Sequence, residues 1–358
     1  MYKLTLLKQE DCEGENKLDI FKKKGIYAEP TDYSRLLGNQ VTDIYDEKNK
    51  KFEMRSSYLT SSYKERKGYK SDIKKDPMVV DAYGVYEEYE KAADIGIRPV
   101  IEFENILDIP TNGNPIEVLN DGVLEVEYGY YPQTVVPEEM EKTLEEEYRN
   151  RSFDLNEIEG HHYTSNSTRM ELQKERYEPL FHASKNKCYE YNGERYVRIS
   201  TKNADKSKSF YKLTTLGVIP YSNGKGYKAQ NEHAWVKVEP VKWLVDAKNK
   251  KMISEKVLAA GVPYADVKNA KANKDGFEST YVSRFMNKFM LKELEQERQP
   301  VLLGEVENKR AAALLGIDIS DMKKYENEGI LAYSKIGQQY KEFIKKVKEK
   351  NTHESVTK

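Results

Sequence analysis

Cysteine is almost absent: Cys12 and Cys188 are the only two in 358 residues, and they stand far apart. A disulfide framework is thereby excluded, and a reducing compartment fits. No apolar run approaches the ~20 residues that a membrane helix needs. The opening segment, residues 1–10, has too short an apolar stretch for a secretion signal. The expectation from these two gaps is a cytoplasmic protein with no membrane partner. Charge of one sign is also missing in excess. With 59 basic and 60 acidic residues the net charge is −1, so nucleic-acid affinity would have to come from a local patch.

What the chain does have is polarity and length. Charged residues make up 33% and hydrophobic ones 38%, and the mean hydropathy is −0.84. That describes a well-solvated globular protein with long loops and room for two or three domains. Tyrosine stands out, with 27 against 10 Phe and 2 Trp. Tyrosine offers a rigid contact surface with a polar tip, which suits recognition. An AT-rich coding sequence, in which Lys, Asn, Tyr and Ile rise together, accounts for most of them.

Local patterns set the expected elements. Residues 18–28 read as a short strand or helix. Thr31 caps a helix over residues 32–38, with Gly38 at its stop. Residues 42–75 are lysine-rich and read mostly as irregular loop. Residues 78–80 and 84–89 read as short strands joined at Asp81–Gly84, and 98–103 as a further strand. Turn residues gather at 109–115, which predicts a boundary there. Beyond it, 122–128 alternates as a strand and 129–134 reads as a turn. Residues 138–151 form a charged helix. Asn192-Gly193 lies between alternating segments, the strongest short-range hairpin signal. Residues 235–245 form one or two strands broken at Pro240, and Asp246-Ala-Lys-Asn-Lys250 turns into 252–254. Val282, Phe285, Met286, Phe289 and Met290 share one face of a core helix. The expected division is 1–112, 120–295 and a helical unit at 296–358.

Several of these segments resemble known sequences. Tyr128-Gly-Tyr-Tyr-Pro-Gln-Thr134, Val238-Glu-Pro-Val-Lys-Trp-Leu-Val245, Ile253-Ser-Glu-Lys-Val-Leu258 and Phe277–Asn287 resemble an uncharacterised bacterial domain family. That family is similar to the formylglycine-generating-enzyme and C-type-lectin-like superfamily, where a hairpin-rich sheet carries two helices and long loops. Thr31–Gly38, Arg55–Ser57, Val79–Gly84 and Gly96-Ile-Arg-Pro-Val100 look like the part that normally comes last. The resemblance therefore implies an α+β body in permuted order, either one rearranged domain or two partial modules side by side. Within it Arg98 would pair with a buried carboxylate, and Trp243 and Tyr264 would line the core.

Ala312–Leu331 resembles the helix-turn-helix of MerR-type regulators, with Gly316, Met322, Lys323, Tyr325, Glu326, Gly329 and Ile330 at matching positions. That resemblance implies DNA contacts at Lys323, Lys324, Tyr325, Lys335 and Lys341. Asp318 and Asp321 open the second helix and would repel a phosphate backbone. The terminal apolar stripe of Ile336, Tyr340, Phe343, Ile344 and Val347 is most simply a helix packed on the body.

Candidate chemistry is thin. The five histidines include the neighbours His161 and His162, which point to opposite faces of an extended segment. The metal- and copper-dependent oxidases of the superfamily use paired cysteines or a spaced His-His-Glu set, and neither pattern occurs here. Ser222-Asn-Gly-Lys-Gly-Tyr227 lacks the spacing of a phosphate loop and reads as a hairpin turn. The leading expectation is a non-enzymatic binding protein without cofactor or metal. It would engage a protein partner through Tyr58, Tyr63, Tyr69, Tyr83, Tyr86 and Tyr89. A DNA-binding regulator is the alternative, and a metal-dependent oxidoreductase the third class.

Overall fold

The computed structural model describes residues 2–37, 39, 41–47, 49–67, 73–88, 95–105, 108–114, 117–119, 123–150, 156–158, 188–200, 219–220, 226–227, 233–260, 262, 264, 276–295 and 301–302. They form an α+β arrangement of many strands and few helices. The first part of the chain runs β1 (Leu4–Thr5), α1 (Gln9–Cys12), α2 (Asp19–Lys24) and α3 (Asp32–Leu36). Next come β2 (Val41–Asp46), β3 (Lys51–Ser56), β4 (Tyr58–Lys67), β5 (Ile73–Val80), β6 (Tyr86–Glu88) and β7 (Val100–Glu102). After β8 (Pro110–Thr111) and β9 (Glu117–Val118) follow the long β10 (Leu124–Val135) and α4 (Glu138–Asn150). Then come β11 (Asn156–Ile158), β12 (Cys188–Tyr191), β13 (Glu194–Ser200), β14 (Ile219–Pro220) and β15 (Gly226–Tyr227). The spine, β16 (His233–Asp246), leads into β17 (Lys251–Ser254). Helix α5 joins Tyr281–Phe285, a π-helical turn Met286–Met290 and Leu291–Glu295, and β18 (Val301–Leu302) follows.

Nine strands make one sheet in the order β1-β7-β17-β16-β13-β12-β11, with β10 on the other side of β16 and β9 beyond it. All its pairings are antiparallel. β16 works as the spine because it is long enough to hold β10 along one edge and two strands in series along the other. On that second edge β13 pairs as far as Lys237 and β17 begins at Trp243. Pro240 falls between them. A proline lacks the N–H that a ladder would need, and here neither strand asks for one. The expected break at Pro240 is therefore absent, and the strand runs through.

Period-two alternation along β16 feeds two cores. Trp243 and Val245 enter one with Tyr33, Leu36 and the buried face of α5. Leu244 enters the other with Leu7, Phe21 and Tyr58. Val282, Phe285, Met286 and Met290 are all buried, as the helical spacing predicts. Burying such a side chain fully contributes ~1.5–3 kcal/mol. The side chain of Phe289 lies outside the described residues. Thr280 starts the helix, its Oγ1 accepting the Ser283 N–H at 3.2 Å. α5 crosses the sheet closely at Gly129, where a Cβ would sit 2.7 Å from the Leu294 carbonyl and φ is +70°. Only glycine fits both demands.

Two expectations are corrected here. Residues 42–75 are mostly strand, not loop: β2, β3, β4 and the start of β5 occupy them. Their charged residues sit on two- and three-stranded arms with solvent on at least one side, which hides the alternation that a half-buried strand shows. Likewise β10 continues through Val135 where a turn was expected after Tyr128, taking up the Gly129 and Gln133 irregularities as shifts in register. β1 and β7 pair with each other and β7 with β17, so front and rear segments share one sheet.

Candidate functional site

The N-terminus of α3 is fixed to the sheet by its own cap. Thr31 Oγ1 accepts the Ser34 N–H at 3.1 Å and donates to the Val257 carbonyl at 3.1 Å. Main-chain bonds from Thr31 N to Val257 O (3.0 Å) and from Val257 N to Glu29 O (2.9 Å) zip this segment to the chain after β17. Asp32 then faces the end of β10, where its Oδ2 accepts the Val135 N–H at 3.0 Å. Arg35 Nη1 lies 3.4 Å from the other carboxylate oxygen. Burial raises the Asp32 carboxyl above the ordinary value, against the opposing pull of Val135 N–H and Arg35. Burial lowers Arg35 in turn.

Opposite α3 stands the β2–β3 hairpin. Its turn is built by Asp46, which accepts the Asn49 N–H and, through its second oxygen, the Asn49 amide. Lys50 closes it with φ +50°. The β16–β17 turn repeats the device: Asp246 accepts from Asn249 N (2.9 Å) and Nδ2 (3.0 Å), and Lys250 has φ +57°. The hairpin places Tyr45 and Phe52 across from each other, rings edge to face with centroids 5.1 Å apart. Phe52 is 71% exposed and Tyr45 43%.

Between hairpin and sheet lies a cleft of about 810 Å³. Lys51 to Met54 form one wall, Thr31, Asp32 and Arg35 the floor, and Glu239 to Lys242 with Gln133 the far side. Gln133 is the extra residue of the β10 bulge. Its Nε2 donates to the carbonyls of Glu239 (3.1 Å) and Pro240 (2.8 Å), which steadies that wall. A second hollow of about 770 Å³ lies by α1, lined by Ser61, Ser62, Tyr63 and Phe277 among others.

The expected tyrosine surface is not one surface. Tyr58 is fully buried, its hydroxyl donating to the Ile26 carbonyl. Burial raises its pKa further, so it is a core post and no partner can reach it. Tyr86 is half-buried against the core that holds Tyr58. Tyr63 lines the second hollow. Tyr83 alone is strongly exposed, at 67%, in the Asp81–Gly84 turn. Tyr69 and Tyr89 lie outside the described residues. So do Lys323, Lys324, Tyr325, Lys335 and Lys341, and His161, His162, His182 and His353. Among the described residues no three His, Cys, Asp or Glu side chains are placed to hold a metal ion. Nor, among them, is any helix long and apolar enough to cross a membrane.

Arg98 departs from expectation as well. It meets carbonyls instead of a carboxylate: Nε donates to Ser254 O (2.9 Å), Nη1 to Ile26 O (3.1 Å) and Nη2 to Glu255 O (3.3 Å). The Tyr58 hydroxyl also accepts from Nη1 at 3.3 Å. Trp243 and Tyr264 are buried in the core as the resemblance implied. The residues that sequence reasoning missed are Tyr45 and Phe52. A signal existed, since Asp46-Glu-Lys-Asn-Lys50 repeats Asp246-Ala-Lys-Asn-Lys250 at four of five positions. No family model, no curated protein and no solved structure matches this chain.

Proposed function

We propose that this chain is a non-catalytic recognition protein, on a C-type-lectin-like body, that holds a protein partner in the cleft between hairpin β2–β3 and α3. The observation that carries this reading is Phe52, 71% exposed at the rim of a cleft lined mostly by polar and charged residues. Aromatic side chains presented beside a concave polar surface are the usual anchors of protein interfaces. The cleft itself supports grip more than chemistry. Its floor pairs Asp32 with Arg35, and Asp32 also receives a main-chain N–H, so that carboxylate is committed to holding α3.

The residues of the family-like motifs support the same division of labour. Arg98, Val79 and Trp243 are buried and build the body, leaving the hairpin to meet the partner. The test is a purified double variant, Tyr45→Ser with Phe52→Ser, compared with wild type for partner capture by cross-linking in host extract. Both residues are surface groups, so the melting temperature should stay put while the cross-linked species disappears. Undiminished cross-linking in the variant removes this reading.

A further inference from the structure

We infer that the partner segment held in this cleft is an extended, lysine- or arginine-bearing stretch that adds as a third strand to the free edge of β3. The inference deepens the recognition reading above and rests on it.

The edge comes first. Lys51, Phe52, Glu53 and Met54 are consecutive, and all four line the cleft. Side chains of a strand alternate between two faces, so four successive residues border one space only when that space lies along the strand's edge. β3 uses its other edge to pair β2 from Asp46↔Lys51 to Val41↔Ser56. On the cleft edge, among the described residues, the bond from Ser56 N to Ala28 O at 2.9 Å is its only main-chain partner. Main-chain groups alternate between the two edges, so those of Phe52 and Met54, in step with Ser56, face the cleft with no strand beside them among the described residues, while those of Lys51 and Glu53 face β2. An open edge of this kind is the template on which an extended peptide adds as a strand. Across the cleft lie Glu239 to Lys242, the stretch of β16 that falls between β13 and β17.

Charge then chooses the occupant. The cleft is lined by the carboxylates of Glu29, Asp32, Glu53, Glu127, Glu239 and Glu255, against the cations Arg35, Lys51, Lys242 and Lys256. Every one of those cations already has a carboxylate: Asp32 at 3.4 Å, Glu53 at 3.5 Å, Glu125 at 2.7 Å and Glu29 at 3.9 Å, respectively. Glu125 lies outside the lining and takes the close contact of Lys242, which still lines the cleft and acts on Glu255 at longer range. Glu127, Glu239 and Glu255 form no salt bridge among the described residues. An incoming strand places alternate side chains on one face, and cations at that spacing would meet these half-buried carboxylates. An acidic strand would meet them as well, at a cost. Phe52 at the rim suits the aliphatic stem of a lysine or an apolar residue between two cations.

The experiment uses the full chain and three fluorescein-labelled peptides. One alternates lysine and threonine, one alternates glutamate and threonine, and one repeats the first with its outward amides N-methylated. Anisotropy at low and moderate salt should show the lysine peptide bound and the glutamate peptide weaker by at least about tenfold, a difference of ~1.4 kcal/mol. N-methylation should cost a similar factor, because it removes the ladder donors and leaves the charge. The variant Glu239→Gln with Glu255→Gln should lose most of the lysine preference, while Glu10→Gln with Glu13→Gln, by the second hollow, should keep it. Equal binding of the lysine and glutamate peptides overturns the inference, as does an N-methylated peptide that binds undiminished, or no binding of any peptide. If those failures occur while partner cross-linking still depends on Tyr45 and Phe52, the strand inference falls alone. Loss of that dependence takes the recognition reading with it.

Discussion

Asn287 holds both main-chain groups of Leu4: its Oδ1 accepts the Leu4 N–H at 2.9 Å and its Nδ2 donates to the Leu4 carbonyl at 2.9 Å. Leu4 belongs to β1, the end strand of the sheet, which among the described residues pairs only with β7. One amide side chain thus takes the place of a neighbouring strand and blunts the edge. It does so from the π-helical turn of α5, where Nδ2 also reaches the Ser283 carbonyl at 2.9 Å. Replacing Asn287 by alanine leaves the Leu4 groups unmet and should cost ~1–3 kcal/mol in urea unfolding. The freed edge should also raise self-association in sedimentation runs. A variant as stable and as monodisperse as wild type would show that water serves Leu4 equally well.

Arg98 ties three distant segments through the carbonyls of Ile26, Ser254 and Glu255. Arg98→Met keeps much of the bulk and removes every donor. Hydrogen bonds to a charged group are worth ~1.5–3 kcal/mol each, so the loss should exceed ~3 kcal/mol. Chemical denaturation measures it. A loss below ~1 kcal/mol would mean that the carbonyls find other donors.

Lys251 and Asp11 form a buried pair, with Nζ at 2.6 and 2.7 Å from the two carboxylate oxygens. Lys251→Met strands a buried carboxylate and should destabilise by ~3–5 kcal/mol. Adding Asp11→Asn removes that charge, keeps an acceptor for the Lys8 N–H, and should recover most of the loss. A double variant no better than the single one would contradict a coupled pair.

The Asp32 carboxyl is held above its ordinary value by burial. The folded state therefore binds that proton more tightly than the unfolded chain does. Its stabilising share is present at low pH and is lost as pH rises from about 4 through the raised value. Asp32→Asn removes this titration. The stability difference between the Asn variant and wild type should move in favour of the variant across that window, then level off. Urea midpoints over a pH series decide it, and a difference that is flat or moves the other way refutes the burial argument.

Cys12 is buried, and burial together with the nearby Asp11 charge pushes its thiol up to about 12. The thiolate is the reactive form. In a Cys188→Ala background, an aromatic disulfide reagent at about pH 8 should label Cys12 only as fast as the chain unfolds. Rapid labelling of the native protein would place Cys12 in a site that opens locally.

Local signals were the most legible. The Thr31 cap, the Asn192-Gly193 turn with φ of +52° and +75°, and the buried face of α5 all follow from short spacings. Nothing in the Met286–Met290 spacing announces a π-turn, and the bonds from Asn287 in that turn to Leu4 join residues far apart in the chain. Tyr58 shows the limit of composition: it stands among serines and a threonine with Leu59 as its one apolar neighbour, yet it is sealed by Arg98 and Ile26 from far along the chain. The cleft was illegible for the same reason, since α3, β3 and β16 lie far apart in sequence and come together only in the folded chain.

The pairing of Ile101 with Met252 has a consequence for how the protein is made. While the ribosome is still extending the middle of the chain, β1 and β7 already exist with nowhere to dock, because their neighbour β17 has yet to emerge. Such long-range closure is slow, and the waiting strands are sticky. The nascent chain should therefore lean on chaperones until β17 is released, and shortened products ending before Lys251 should be found insoluble.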